Sequence, residues 1–123
     1  MNEELKARHM ARIRTEEGRM VYDTLCAACD KRDGGMTDAD QMLICDVAVC
    51  EDMKMELLAD IEKRGIGGEH RNGRQTYWQE NKSLASLKAY CDQQRKHLAE
   101  LRMTPSSKKA EQITVESDEF AAF

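Results

Sequence analysis

A chain of 123 residues with a formal net charge of −4 makes one compact unit with a tail, or one protomer of something larger. It is too acidic to coat nucleic acid indiscriminately, so any DNA contact must come from a local patch. No apolar run approaches the ~20 residues that cross a bilayer, Met1-Asn2-Glu3-Glu4 lacks the apolar segment of a signal peptide, and five Cys, an odd number, read as reduced thiols in a cytoplasm.

The chain has one Trp, three Tyr and two Phe, and both Phe stand in its last four residues. Its body must therefore pack with Leu, Met, Ile, Val, Ala and Cys, a thin core for so short a chain. Long helices that pack against copies of themselves would remedy this. The expected fold is all-α: a long helical hairpin preceded by an N-terminal helix and followed by a flexible C-terminal tail, assembling into a ring-like homo-oligomer.

In chain order, the first predicted helix runs from about Glu3 to Arg32, with Gly18 as its expected bend or break, since an interior Gly costs ~1 kcal/mol relative to Ala. Asp33-Gly34-Gly35 turns the chain. The second helix opens at Thr37, where Thr37 and Asp40 have the spacing of a capping box, and runs to about Arg64, with Gly65 as its stop. Leu43, Val47, Cys50, Leu57 and Ile61 form its apolar stripe, which Lys54 interrupts. Residues Gly65 to about Thr76 read as a connector; Asn72-Gly73 would also suit a two-strand hairpin, but strands are not the expectation. The third helix runs from about Trp78 to Met103. In it Leu84, Leu87, Cys91, Gln94, Leu98 and Leu101 step by three and four, a coiled-coil seam in which the polar Gln94 could fix register. Leu84, Leu87, Cys91, Leu98 and Leu101 are the oligomerisation candidates. Thr104-Pro105 ends the helix. The organisation expected is an N-terminal helical segment over 1–35, a hairpin core over 36–104 and a tail over 105–123.

Candidate chemistry is sparse. Cys26-x-x-Cys29 with Cys45 and Cys50 loosely has the count of a zinc site, but both pairs fall in predicted helices and free Cys is a common small core residue. His9, His70 and His97 are far apart and are expected on exposed loop and helix positions. No phosphate loop, no nucleophile elbow and no acid cluster on strands is present. No enzyme activity, metal or cofactor is expected.

Charge is segregated. Residues 1–35 are balanced, 36–64 carry eight acids and three bases, and 65–103 carry seven bases and four acids. Lys88, Arg95 and Arg102 repeat every seven residues; they could face phosphates, but pairing with Asp52, Glu56 and Asp60 of the second helix is the favoured reading. Asp38, Asp40 and Asp46 would repel phosphates, so the second helix is rejected as a recognition helix. Arg8, Arg12, Arg14 and Arg19 make the first helix the better DNA-facing element. Arg71 and Arg74, beside Gln75, Tyr77 and Trp78, add loop cations next to aromatics; a solvated loop with Trp78 anchored in the core fits equally well.

In the tail, Ser117, Asp118 and Glu119 could cap one helical turn that puts Phe120 and Phe123 on one face. A docking peptide and a frayed terminus both suit that pattern.

From about Val21 to Lys109 the chain resembles the terminase small-subunit family of tailed phages and prophages. The resemblance rests on Thr37 and Asp40 opening a long helix, on Ile61-Glu62-Lys63-Arg64-Gly65 closing it, and on a Gly- and Asn-containing connector. It rests most on Leu98-Ala99-Glu100-Leu101-Arg102-Met103-Thr104-Pro105-Ser106-Ser107, the close of the next helix. Arg102 stands where the family usually has Gly, and Asn81-Lys82 where Asn-Pro or similar is common. The resemblance implies a ring-forming, non-catalytic subunit acting in the cytoplasm of the bacterial host. Such a subunit engages double-stranded viral DNA at the start of packaging and recruits or regulates the large ATPase and nuclease subunit, which would make that subunit the partner of Phe120 and Phe123. The alternatives are a transcriptional regulator of a mobile element and a coiled-coil adaptor without DNA binding.

Overall fold

The computed structural model describes residues 1–103. The element order is α1 (Glu3–Arg12), α2 (Glu16–Asp30), α3 (Asp38–Arg64), β1 (Gly67–Asn72), β2 (Gln75–Glu80) and α4 (Ser83–Glu100). The fold is mostly helical, as expected, but it is not all-α. The connector forms an antiparallel two-strand sheet with Gly67 opposite Glu80, His70 opposite Tyr77 and Asn72 opposite Gln75. Gly73 takes φ +64° while Arg74 stays at negative φ, the arrangement of a II′ hairpin turn, whose twist matches that of its flanking strands. The Gln75-Thr76-Tyr77-Trp78 run favours the extended state. Trp78 therefore belongs to β2, and α4 begins five residues later than the periodicity predicts.

The first predicted helix is two. The break is not at Gly18 but at Ile13–Thr15: the chain turns extended at Ile13, which ends α1, and Thr15 caps α2, its Oγ1 accepting from the N–H of Gly18 at 2.9 Å. Gly18 lies inside α2 and is buried because α3 passes too close for a side chain. A Cβ there would stand 2.7 Å from Cγ2 of Ile13 and 3.1 Å from the carbonyl oxygen of Ala48.

α3 is a rod of about 40 Å at 1.5 Å per residue. The capping box is formed as expected, with Asp40 N–H donating to Thr37 Oγ1 and Thr37 N–H to Asp40 Oδ2, each at 3.1 Å. The rod ends at Gly65, φ +75°. α2 and α4 both pack along it. The core of the described residues, around Ile13, Tyr22, Ile44, Val47, Ala48 and Leu101, sits on the first half of α3. Cys26, Cys29 and Cys45 complete it as free thiols, filling volume that a larger chain would give to aromatics.

The α4 seam is spent, at least in part, within the chain. Leu101 and Gln94 are buried, and Leu84, Leu87, Cys91 and Leu98 are half-buried. Gln94 Nε2 donates to the carbonyl of Val47 at 3.1 Å and to Glu51 at 3.0 Å, while Lys54 Nζ donates to Gln94 Oε1 at 2.8 Å. The two polar interruptions of the two stripes thus meet each other.

The proposed pairing of Lys88, Arg95 and Arg102 with Asp52, Glu56 and Asp60 is not what those acids do. Asp52 caps the α1–α2 corner, Glu56 pairs with Arg14 at 3.4 Å, and Asp60 holds Arg64 at 2.6 Å. Asp60 also accepts from Ser83 Oγ at 2.6 Å and Asn81 Nδ2 at 3.3 Å, fastening the end of α3 to the start of α4. These donors hold its carboxyl well below the usual carboxylate range, Arg64 foremost.

The end of α4 explains the departure at position 102. Met103 N–H donates to Leu98 O at 2.8 Å and Arg102 N–H to Ala99 O at 3.0 Å, the two bonds of a Schellman motif. That motif needs a left-handed residue at its turn, and Arg102 supplies it at φ +59°, a conformation that costs a non-Gly residue free energy.

Candidate nucleic-acid and assembly surfaces

α1 is fastened to α3 at both ends. At the near end Gln41 Oε1 accepts from Asn2 N–H at 3.1 Å, and its Nε2 donates to Asn2 O at 2.9 Å. At the far end the buried Asp52 accepts from Arg14 N–H at 2.8 Å, from Thr15 N–H at 3.0 Å and from Thr15 Oγ1. Periodicity alone does not reveal Asp52: an acid on a charged helix reads as solvated.

The Gln41 amide is oriented by those backbone groups. Its Nε2 donates to Tyr22 Oη at 2.9 Å, and that oxygen is hydrogen-bonded to Nδ1 of His9, 2.8 Å away. His9 is buried beside it. Burial, then the nearby Arg12, lowers its pKa from the ordinary 6.5. Burial pushes the Tyr22 hydroxyl up to about 12. His9 was expected on an exposed position; it is buried instead, and His97 is half-buried, which leaves only His70 exposed as expected.

The six arginines named from sequence form two groups. Arg8 and Arg12 lie on one side of α1, four residues apart, with Arg8 reaching Glu4 at 3.2 Å. Arg14 is tied to Glu56, and Arg19 donates to the carbonyl of Ile13 at 3.1 Å. All four are exposed, and ion pairs at such sites contribute little, so their charge stays accessible to a ligand. Arg71 and Arg74 stand on the hairpin, at the opposite end of α3. With them are His70 and Tyr77, stacked with ring centroids 5.9 Å apart, and Trp78, whose ring lies across Gly67. Trp78 is 58 % exposed, so it is not anchored in the core.

Between α2 and α4 an open apolar groove of about 490 Å³ runs over α3, lined by Met20, Val21, Leu25, Val47 and Leu98 with Glu17 at its edge. Met20 is 62 % exposed. Of the oligomerisation candidates, Leu98 alone lines this groove, and sequence reasoning missed the α2 wall. No signal marked that wall, because Met and Val on a predicted helix read as core. Phe120 and Phe123 lie outside the described residues. Among the described residues no group of three or more His, Cys, Asp or Glu side chains could hold a metal ion, and no helix is long and apolar enough to cross a membrane. Burial raises the pKa of Cys26 to about 11 and shifts Cys29, Cys45 and Cys50 the same way, which keeps these thiols protonated and unreactive.

Taken together, the described residues form a capped helical rod, a helix packed along it on either side of an apolar groove, and a protruding strand hairpin. The family model described as phage terminase, small subunit, matches residues 18–118. The chain belongs to that family, which gives it a part in phage DNA packaging. No curated protein and no solved structure matches it.

Proposed function

We propose that the chain is the non-catalytic small terminase subunit of a phage or prophage. It assembles as a ring-like homo-oligomer in the cytoplasm of the bacterial host, engages double-stranded viral DNA, and recruits or regulates the large ATPase and nuclease subunit. The observation that carries this reading is the family match, which spans the α3–α4 hairpin and the closing segment after it. The large subunit is assigned to the tail, with Phe120 and Phe123 as its anchors. DNA is assigned to the exposed Arg8 and Arg12 of α1, supported by Arg14 and Arg19. Since the match begins at residue 18, the assignment of Arg8, Arg12 and Arg14 rests on their exposure and charge. Repetition around an assembly multiplies individually weak phosphate contacts.

The test is fluorescence anisotropy with duplex DNA across a salt series. Affinity falls with salt, at a log–log slope of about −0.9 per phosphate neutralised. Arg8→Ala with Arg12→Ala makes the slope shallower and weakens binding; unchanged binding moves the DNA site off α1. Truncation after Lys109 leaves helix content intact and removes capture of the large subunit; full retention removes the tail from docking.

A further inference from the structure

The groove between α2 and α4 is concave and apolar, and among the described residues it is open to solvent. The β1–β2 hairpin is an exposed apolar feature, with Trp78 at 58 % exposure and Tyr77 at 48 %, and Ile66 just ahead of it at 64 %. We propose that the groove receives the hairpin of a second copy of this chain, head to tail, with Trp78 seated against Met20, Leu25 and Leu98.

Three observations lead there. A single chain does not satisfy both features: the groove lies at the level of Val47 and the hairpin departs beyond Arg64, about 25 Å further along α3. Both surfaces are then left open, and an exposed apolar patch on a small chain marks an interaction site. The charges also match. Arg71 and Arg74 stand at the tip of the hairpin, with its acids Glu69 and Glu80 further down the strands, whereas the α2 wall begins at Glu17, next to the exposed Glu16. This arrangement assigns Arg71 and Arg74 to the neighbouring subunit instead of to DNA.

The two surfaces differ, so the contact is heterologous. Each copy has one groove to offer and one hairpin to insert, and such contacts repeat until they close on themselves. The inference rests on the self-assembly proposed above, and adds the surfaces and their polarity.

The test uses the full chain and two variants at exposed positions, Trp78→Ala in the hairpin and Met20→Glu in the groove, with circular dichroism melts to show that both fold. Light scattering and sedimentation give the assembly state. Trp78 is the only Trp, so its emission reports burial directly. Wild type is expected to assemble with blue-shifted emission that moves to the red on dilution. Each variant alone is expected to weaken assembly by at least ~30-fold, the scale of losing an aromatic anchor. Mixing the two variants is decisive. The intact hairpin of Met20→Glu fits the intact groove of Trp78→Ala, so the mixture forms one-to-one pairs that grow no further.

Wild-type assembly that survives both variants overturns the hairpin–groove contact and leaves self-assembly standing. Variants that are each monomeric yet do not pair overturn it too, because a symmetric interface would behave that way. Loss of assembly on truncation after Lys109, with both variants unaffected, gives the groove to the tail and overturns the inference. A wild type that is monomeric at tens of micromolar removes the assembly reading and this inference together, while the DNA and large-subunit measurements stand apart from both.

Discussion

Replacing Gly18 by Ala sets two effects of opposite sign against each other. On helix propensity alone the change should stabilise α2 by ~1 kcal/mol. Packing opposes it. The new Cβ would meet Cγ2 of Ile13 at 2.7 Å, the carbonyl oxygen of Ala48 at 3.1 Å and the carboxylate of Asp52. Ile13 is 1 % exposed and the carbonyl belongs to the α3 backbone, so neither yields cheaply. Overpacking of this kind costs ~1–3 kcal/mol. Displacing Asp52 strains bonds to a charged acceptor that are worth ~1.5–3 kcal/mol each. Packing wins, and the expected net effect is a loss of ~1–3 kcal/mol. For a body of this size that is a fall in Tm of ~4–8 °C per kcal/mol. Thermal and urea unfolding followed by circular dichroism would measure it, at fixed chain concentration because assembly shifts the midpoint. A Gly18→Ala chain as stable as wild type, or more so, would refute the close approach. A double-mutant cycle sharpens the test: in an Asp52→Ala background the cost of Gly18→Ala should shrink by more than ~0.5 kcal/mol, and strict additivity would mean that the two sites do not touch.

Arg102→Gly should be more stable than Arg102→Ala by about 1 kcal/mol, since the two variants lack the same side chain and differ in the cost of positive φ; equal midpoints in urea would count against the left-handed turn. Gln94→Leu alone should cost ~1–3 kcal/mol by removing one bond each from Lys54, Glu51 and the Val47 carbonyl, although Lys54 and Glu51 keep their mutual pair at 3.2 Å, while the triple change Glu51→Leu, Lys54→Met and Gln94→Leu should recover most of it; a triple variant as weak as the single one would show that the network contributes more than mutual satisfaction. Stability should also depend on pH at both ends of a window. The folded state lowers the His9 pKa from 6.5, so the unfolded chain takes up the proton first, and stability is lost as pH falls through 6.5 towards the folded value. The folded state raises Tyr22 from 10.0 to about 12, so the unfolded chain ionises first, and stability is lost as pH rises from 10 towards 12. Unfolding free energies across pH, with His9→Gln flattening the acid limb and Tyr22→Phe the alkaline one, would check both signs.

What was legible in the sequence was the part written in local chemistry. Thr37 and Asp40 announce the start of α3, and Gly65 its end, because a cap is specified by neighbours in the chain. The spacing of Leu84 to Leu101 revealed a packing face, but periodicity does not say which partner covers it, and here α3 of the same chain takes much of it. The misreading of Gly18 has the same origin. An interior Gly reads as a flexible break until the approach of α3 is known, and the true break at Thr15 depends on Asp52, thirty-seven residues away. The buried chain from His9 through Tyr22 to Gln41 was invisible for the same reason, since none of its members is close to another in sequence. The hairpin was legible only as a turn. Strands whose residues are almost all exposed carry no alternation of apolar and polar side chains from which to read them.

The two fastenings of α1 have a geometric consequence. Gln41 and Asp52 are eleven positions apart on α3, a rise of about 16 Å, and the backbone groups they hold, at Asn2 and Arg14, are twelve positions apart on a segment that is mostly helix, about 18 Å. α1 thus runs in the same direction as the first half of α3, as a strut cut to length. Its outward positions, Arg8 among them, can change without disturbing either end, whereas Arg12 also reaches back to Cys45 of α3. Its residue count cannot: one residue added or removed would swing the outer face by a hundred degrees and pull one of the two ends off its anchor. In this segment the tolerance is for substitution and not for insertion, and whatever the outer face touches is presented at an angle set by α3.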